Sequence, residues 1–97
     1  MATFVLTCLD HPNDLPRRMG AREAHLAYVA ANRGMVKLAG PLLTDAGEMA
    51  GSMFIMEAET KAEVEAFNAK DPYTLAGVFE TVTVRPIRIT VGAIAQR

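Results

Sequence analysis

The order of strand-like and helix-like segments is the feature that most constrains the fold of this chain. Alternating or β-branched apolar residues predict strands, and apolar residues recurring every three to four positions behind a capping residue predict helices. Strands are predicted at residues 3–9, 35–39, 52–57 and 81–91, and helices at residues 15–33 and 60–70. The predicted order is therefore strand, helix, strand, strand, helix, strand.

The first predicted helix has recognisable ends and an amphipathic pattern. Asn13 or Asp14 is expected to cap its start, and Pro16 suits its first turn. Gly34 is expected to take the left-handed conformation just past its end. At 100° per residue one apolar stripe is predicted to be buried, and it consists of Leu15, Met19, Leu26 and Ala30. The flank of that stripe carries Arg18, Arg22, His25 and Val29.

Turn and capping residues separate the later segments. Gly40-Pro41 is predicted to be a turn that ends the second strand, and residues 45–48 to lie in the loop of a long hairpin. Thr60 and Glu63 form a capping-box pattern, in which the threonine accepts from the backbone and the glutamate reaches back. The second helix is therefore expected to begin at this threonine.

The closing strand changes phase at a proline. Val82 and Val84 share one parity, whereas Ile87 and Ile89 share the other, and Pro86 lies at the break. Because proline cannot donate to a sheet ladder, we expect a bulge or an edge segment there. The second half of the strand would then face a different surface, such as a partner subunit.

This order of segments is the split βαβ, ferredoxin-like arrangement of the α+β class. It predicts a single domain over residues 1–97, with a four-stranded antiparallel sheet and both helices on one face. The other face would be bare, although 51% of the residues are hydrophobic and the strands carry apolar residues of both parities. We therefore expect a homodimer closed through the sheet faces.

The composition argues against several classes of binding partner. The net charge of −1, from 10 basic and 11 acidic residues, predicts no nucleic-acid partner. No apolar run reaches membrane-spanning length, so we expect no membrane partner and a cytoplasmic location. Cys8 is the only cysteine, which excludes an intrachain disulfide, and two histidines outside any cluster of ligand spacing predict no metal.

The candidate catalytic residues are His25 and Asp71. Histidine is the side chain whose ordinary pKa lies nearest neutrality, so His25 is a candidate general base. Asp71 is expected to cap the short helical turn at residues 72–76, and a fixed capping carboxylate also suits the task of orienting a histidine ring. Their ordinary structural interpretations are a helix-flank histidine and a helix cap.

The candidate substrate-binding residues are polar groups predicted near this pair: Ser52, Arg22, Arg18 and Tyr73. Arginines one helical turn apart suit a carboxylate or phenolate, and hydroxyl groups suit a developing oxyanion. A turn serine, a solvated helix face and aromatic packing are the alternative interpretations, and local pattern leaves them open.

Four motifs together resemble the YciI-like family of the dimeric α/β-barrel superfamily: Arg22-x-x-His25-x-x-Tyr28, Gly40-Pro41-Leu42, Gly51-Ser52 and Asp71-Pro72-Tyr73-x-x-x-Gly77-Val78-Phe79. The resemblance implies a ferredoxin-like protomer, a homodimeric α/β barrel and a His–Asp pair that maps to His25 and Asp71. One branch of that family eliminates chloride from a chlorinated hydroxyquinol, and muconolactone isomerases are related barrels.

Residues and resemblance together predict a lyase or isomerase without an organic cofactor. In this hypothesis His25 takes a proton from a small cyclic or phenolic substrate, and Asp71 orients the ring. Two other hypotheses use the same fold. One is a non-catalytic module that binds a small molecule, and the other is a structural dimer with a vestigial pocket.

Overall fold

A computed structural model describes residues 1–95 and contains the predicted order of elements, together with a short helix at the helical turn predicted after Asp71. The strands are β1 Ala2–Asp10, β2 Val36–Leu43, β3 Met49–Ala58 and β4 Phe79–Pro86. The helices are α1 Leu15–Ala31, α2 Lys61–Ala69 and α3 Pro72–Leu75. None of these helices is long and apolar enough to cross a membrane.

All four strands pair antiparallel in the order β2-β3-β1-β4, so the predicted ferredoxin-like α+β class is confirmed. The pairing of the two central strands leaves no room for a side chain at one position. A Cβ atom added at Gly51 of β3 would lie 2.6 Å from the carbonyl oxygen of Cys8 in β1. Because a backbone atom cannot move aside as a side chain can, only glycine fits here, directly before Ser52.

The hydrophobic core lies between one face of the sheet and the helices. It consists of Phe4, Leu6, Cys8, Phe54, Met56, Ala58, Val64 and Phe67. Tyr28 and Val29 of α1 pack against this cluster, as do residues of the edge strands. All three helices therefore lie on the same side of the sheet, and the alternate residues of β1 and β3 face the other side.

The buried stripe of α1 is polar, which corrects the predicted apolar stripe. Met19 and Leu26 are 49% and 48% exposed, whereas Arg18 and His25 are buried. The helix is rotated toward its charged flank because Arg18 bonds to Asp10 and His25 bonds to a carboxylate beneath it. The hydrogen bonds of Arg18 and His25 to specific carboxylates therefore decide which face of α1 is buried, and the spacing of its apolar residues does not.

The end of α1 also differs from its prediction. The helix ends at Ala31, and the side chain of Asn32 donates to the carbonyl oxygen of Tyr28 at 2.8 Å. The backbone nitrogen of Met35 in turn donates to the Asn32 carbonyl oxygen. Gly34 is not among the described glycines with positive φ. Asparagine therefore ends this helix, and the predicted left-handed glycine is wrong.

The Gly40-Pro41 pair lies inside β2, not in a turn. Pro41 is paired with Ser52 of β3, and the chain reverses instead at residues 44–48, where Gly47 has a φ of 88°. Proline is tolerated because β2 is an edge strand of the sheet. The consequence is that Pro41 reaches the level of Ser52 and borders the cavity described below.

The closing strand is shorter than predicted. β4 is an edge strand, as expected, but it ends at Pro86, and the Ile87 backbone nitrogen continues the pairing by donating to the carbonyl oxygen of Thr3. The register shift lies between Leu9 and Asp10, not at the proline. Beyond β4 the chain crosses to the open face, where Ile89 borders a small cavity with Thr3.

Candidate active site

A buried histidine–carboxylate pair joins α1 to the start of α3. The Nδ1 atom of His25 lies 2.8 Å from Oδ1 of Asp71, whose side chain has no exposed surface. The same oxygen accepts from the backbone nitrogen of Tyr73 at 2.9 Å, which caps α3. Capping the helix and pairing with the histidine are therefore functions of one oxygen atom.

This pairing determines which ring nitrogen of His25 is free. An ionised carboxylate only accepts hydrogen bonds, so the hydrogen of a neutral ring lies on Nδ1. The Nε2 atom then keeps its lone pair. The side chain of His25 is 10% exposed and borders a cavity, so a bound molecule can approach its ring.

A second buried pair joins α1 to the end of β1. Arg18 is 1% exposed, and its Nε and Nη2 atoms donate to Asp10 at 2.7 and 3.0 Å. Nη2 also donates to Oγ of Ser52 at 2.8 Å. Burial alone lowers the pKa of Arg18, but the hydrogen bond and charge of Asp10, with smaller contributions from Tyr73, raise it overall.

Asp10 is the residue of this group that the pattern of the sequence did not single out. Its signal is weak, because it is a lone acid at the end of a strand, ahead of the His11-Pro12 break. Only the pairing of β1 with its neighbours brings it to within hydrogen-bonding distance of Arg18.

The aromatic ring of Tyr73 contacts both buried pairs. It stacks on the His25 ring with centroids 3.9 Å apart, and the guanidinium carbon of Arg18 lies 4.4 Å from its centroid. Burial raises the pKa of Tyr73, while the charge of Arg18 opposes that rise. The phenol is therefore neutral near pH 7 and can donate a hydrogen bond.

The cavity beside His25 has a volume of about 130 Å³. It is lined by Arg22, His25, Leu26, Val29, Ala39, Gly40, Pro41, Ser52, Phe54 and Tyr73. Four of the six predicted site residues are in this lining, whereas Arg18 and Asp71 lie behind it. A dry cavity of about 150 Å³ holds one benzene molecule, so this space matches a single six-membered ring.

Arg22 is the uncommitted positive charge of the cavity. It lies one helical turn before His25 and is half-buried. Unlike Arg18, it makes no hydrogen bond or ion pair with any residue in the described range. Its guanidinium is therefore free to pair with an anionic group on a bound molecule.

Cys8 has the environment of a core residue and not that of a nucleophile. Burial, with a smaller contribution from the charge of Asp71, raises the pKa of its thiol to about 12. Its sulfur lies 3.5 Å from the side-chain oxygen of Asn68. Within residues 1–95, no three His, Cys, Asp or Glu side chains are placed to hold a metal ion together.

These observations define a class of protein: a small ferredoxin-like α+β chain with a buried His–Asp pair beside a cavity for one ring. A family model for the YCII-related domain matches residues 2–88. The chain belongs to this family, and the resemblance inferred from its motifs is confirmed.

Relatives and a solved structure agree with this assignment. Protein YciI of Escherichia coli O6:H1 is 32% identical over 93 residues, which cover 88% of this chain and 95% of that protein. An uncharacterized protein of Haemophilus influenzae has the same identity and coverage. The 5-chloro-2-hydroxyhydroquinone dehydrochlorinase TftG of Burkholderia phenoliruptrix AC1100 was solved in complex with 2,5-dihydroxybenzoquinone. It is 34% identical, with a TM-score of 0.83 over 97% of this chain and 99% of that one.

Proposed function

We propose that this protein is a small cytoplasmic enzyme of the lyase or isomerase type that removes a proton from a single-ring phenolic or cyclic acid. The observation that carries the proposal is the 2.8 Å hydrogen bond between His25 and Asp71 at the edge of a one-ring cavity. No organic cofactor or metal is required for a proton transfer of this kind.

In the proposed mechanism His25 is the general base. Its Nε2 lone pair accepts the proton of an acidic O–H or C–H group on the ring, and the substrate becomes an oxyanion. Asp71 holds the ring in this tautomer and stabilises the imidazolium that forms. Because both side chains are buried, little reorganisation is needed when the charge appears.

The cavity supplies donors for the negative charge that develops on the substrate. Arg22, Ser52 and Tyr73 all line the same cavity as His25. Donors that are already in place stabilise a developing oxyanion without further rearrangement. We assign these three residues to substrate binding, while Arg18 acts from behind the cavity wall.

The dehydrochlorinase activity of TftG supports the same type of chemistry here. An elimination of hydrogen chloride from a chlorinated hydroxyhydroquinone removes two hydroxyl protons, adds one proton to the chlorine-bearing carbon and releases chloride. The product is a hydroxybenzoquinone, so the reaction balances without an oxidant or a reductant. A base that takes a hydroxyl proton and returns it to that carbon, beside a set of oxyanion donors, suits these steps. Our proposal extends this reaction type, not the specific substrate, to the present chain.

The direct test is turnover and binding by the wild-type protein. We expect chloride release from a chlorinated hydroxyhydroquinone, or isomerisation of a small lactone, detected by ion chromatography and absorbance. We also expect saturable binding of 2,5-dihydroxybenzoquinone by isothermal titration. A protein that binds the quinone yet converts no compound of either series would be a binding module, and the enzymatic proposal would then fail.

We further propose that the open face of the sheet is covered by a second copy of this chain. Leu9 and Leu38 are 47% and 51% exposed in a single chain, and their parities place them on that face. Burying apolar surface is favourable by about 25 cal/mol per Å², so a second sheet is a suitable cover. Sedimentation is expected to give twice the mass of one chain, and a stable monomer at micromolar concentration would contradict the proposal.

A further inference from the structure

We propose that Asp10 and Arg18 form a positioning unit that fixes the hydroxyl of Ser52 as a hydrogen-bond donor to a substrate oxyanion. This inference rests on the proposed function, because it assigns a role in the same cavity. It gives a role to Asp10 and Arg18, which lie outside the cavity lining, and it states that the hydroxyl group of Ser52 donates to the ligand.

The first step of the argument is the direction of the hydrogen bonds. A guanidinium group has five N–H donors and no acceptor. In the 2.8 Å contact between Arg18 and Ser52, the hydroxyl oxygen must therefore be the acceptor. The hydroxyl hydrogen has no acceptor among the residues that the structure describes, so it remains available to a ligand.

The second step is the position of Ser52. It is 3% exposed and lies in the lining of the cavity that His25 also borders. Its neighbour on β2 is Pro41, which has no backbone N–H to offer. A molecule held between His25 and this wall therefore meets the serine hydroxyl as a donor, and an enolate or phenolate oxygen is the matching acceptor.

The third step is the restraint on Arg18 itself. Two of its nitrogens bond to the carboxylate of Asp10, and the two side chains are only 2% and 8% exposed. A bidentate arginine–carboxylate pair fixes the guanidinium plane as well as its charge. The guanidinium carbon also lies 4.4 Å from the centroid of the Tyr73 ring. Asp10 thus orients Arg18, and Arg18 orients both Ser52 and Tyr73.

Stability alone gives no reason for this arrangement. Replacing a buried ion pair by apolar residues of similar volume is often neutral or stabilising, because the charges lose their hydration. A buried ion pair that also holds a hydroxyl group of the cavity wall has an effect that apolar residues cannot have. It fixes the hydroxyl group as a hydrogen-bond donor, and the neighbouring cation strengthens this donor.

The test is a double-mutant cycle with 2,5-dihydroxybenzoquinone as the probe. We expect Ser52→Ala and Arg18→Met each to weaken binding by about tenfold or more, since the first removes the donor to the anion and the second removes the group that positions this donor. The double variant is expected to bind no more weakly than the single variant with the lower affinity, because both changes eliminate the same hydrogen bond to the ligand. Asp10→Asn is expected to weaken binding in the same direction.

The matched control is Arg17→Met, which removes the neighbouring arginine of α1. Arg17 is 52% exposed and pairs with Asp14 away from the cavity. We expect probe affinity within twofold of the wild type. Urea unfolding of every variant separates lost binding from lost folding.

Two results would overturn the inference. One is additive losses in the cycle, which would mean that Arg18 does not act through Ser52. The other is a crystal structure of Arg18→Met in which Ser52 keeps its wild-type rotamer, and this result decides the matter even without a ligand. A wild-type protein that binds the probe but catalyses nothing would count against the proposed function alone.

Discussion

Replacement of His25 by glutamine is expected to reduce turnover by about 10²-fold to 10⁴-fold, the usual contribution of a general base. Glutamine keeps much of the volume and can still donate to Asp71, but it has no nitrogen lone pair that accepts a proton near pH 7. Binding of 2,5-dihydroxybenzoquinone is expected to change by only several-fold, because the oxyanion donors remain. Steady-state kinetics and isothermal titration measure the two effects separately.

The second histidine provides the control for this experiment. The side chain of His11 is 48% exposed and lies 3.7 Å from Glu80, outside the lining of the cavity. We expect His11→Gln to keep wild-type turnover and affinity. If His25→Gln instead lost affinity while the wild type released no product, the pair would serve recognition and not catalysis.

Substitution of Asp71 is expected to reduce stability through two separate losses. In Asp71→Ala the first turn of α3 loses its cap, which costs about 0.5–2 kcal/mol. The buried Nδ1–H group of His25 is also left without a partner, which costs about 1–3 kcal/mol. The free energy of unfolding is therefore expected to fall by about 1.5–5 kcal/mol, as measured by urea denaturation.

Thr60→Ala is the matched control, because Thr60 caps α2 through an exposed hydrogen bond to Glu63. It removes a cap but no buried partner, so a loss of about 1 kcal/mol is expected, with turnover unchanged. Equal losses in Asp71→Ala and Thr60→Ala would show that the buried pair contributes nothing to stability.

Asp71→Asn separates the charge of this residue from its position. Because one oxygen makes both bonds, the amide oxygen of asparagine is expected to take its place, where it accepts from the backbone nitrogen of Tyr73 and from the Nδ1–H group of His25. Much of the cap is then retained, while the negative charge that stabilises the imidazolium is lost. We expect turnover to fall by up to about 10⁴-fold with a smaller loss of stability than in Asp71→Ala. Wild-type turnover in Asp71→Asn would contradict the proposed role.

The sequence by itself determined the order of elements and therefore the fold class. The signals are local: the alternation in the strands, the capping pattern at Thr60 and Glu63, and the acid before Pro72. Local signals are sufficient to predict each helix or strand, and the order of these elements defines the fold class. The same signals identified His25 and Asp71 as candidates, since few other side chains of this chain suit proton transfer. Their separation of 46 residues left the pairing itself beyond the reach of local pattern.

Only the tertiary structure decided which side of α1 is buried and how the site is assembled. The apolar period predicted that Met19 and Leu26 face the core, but the ion pair with Asp10 and the bond to Asp71 turn Arg18 and His25 inward instead. Such partners come from distant strands and turns, so no window of the sequence contains them. Hydrophobic periodicity measures the average tendency of a face to be buried, whereas a buried charge is placed by the specific groups that bind it.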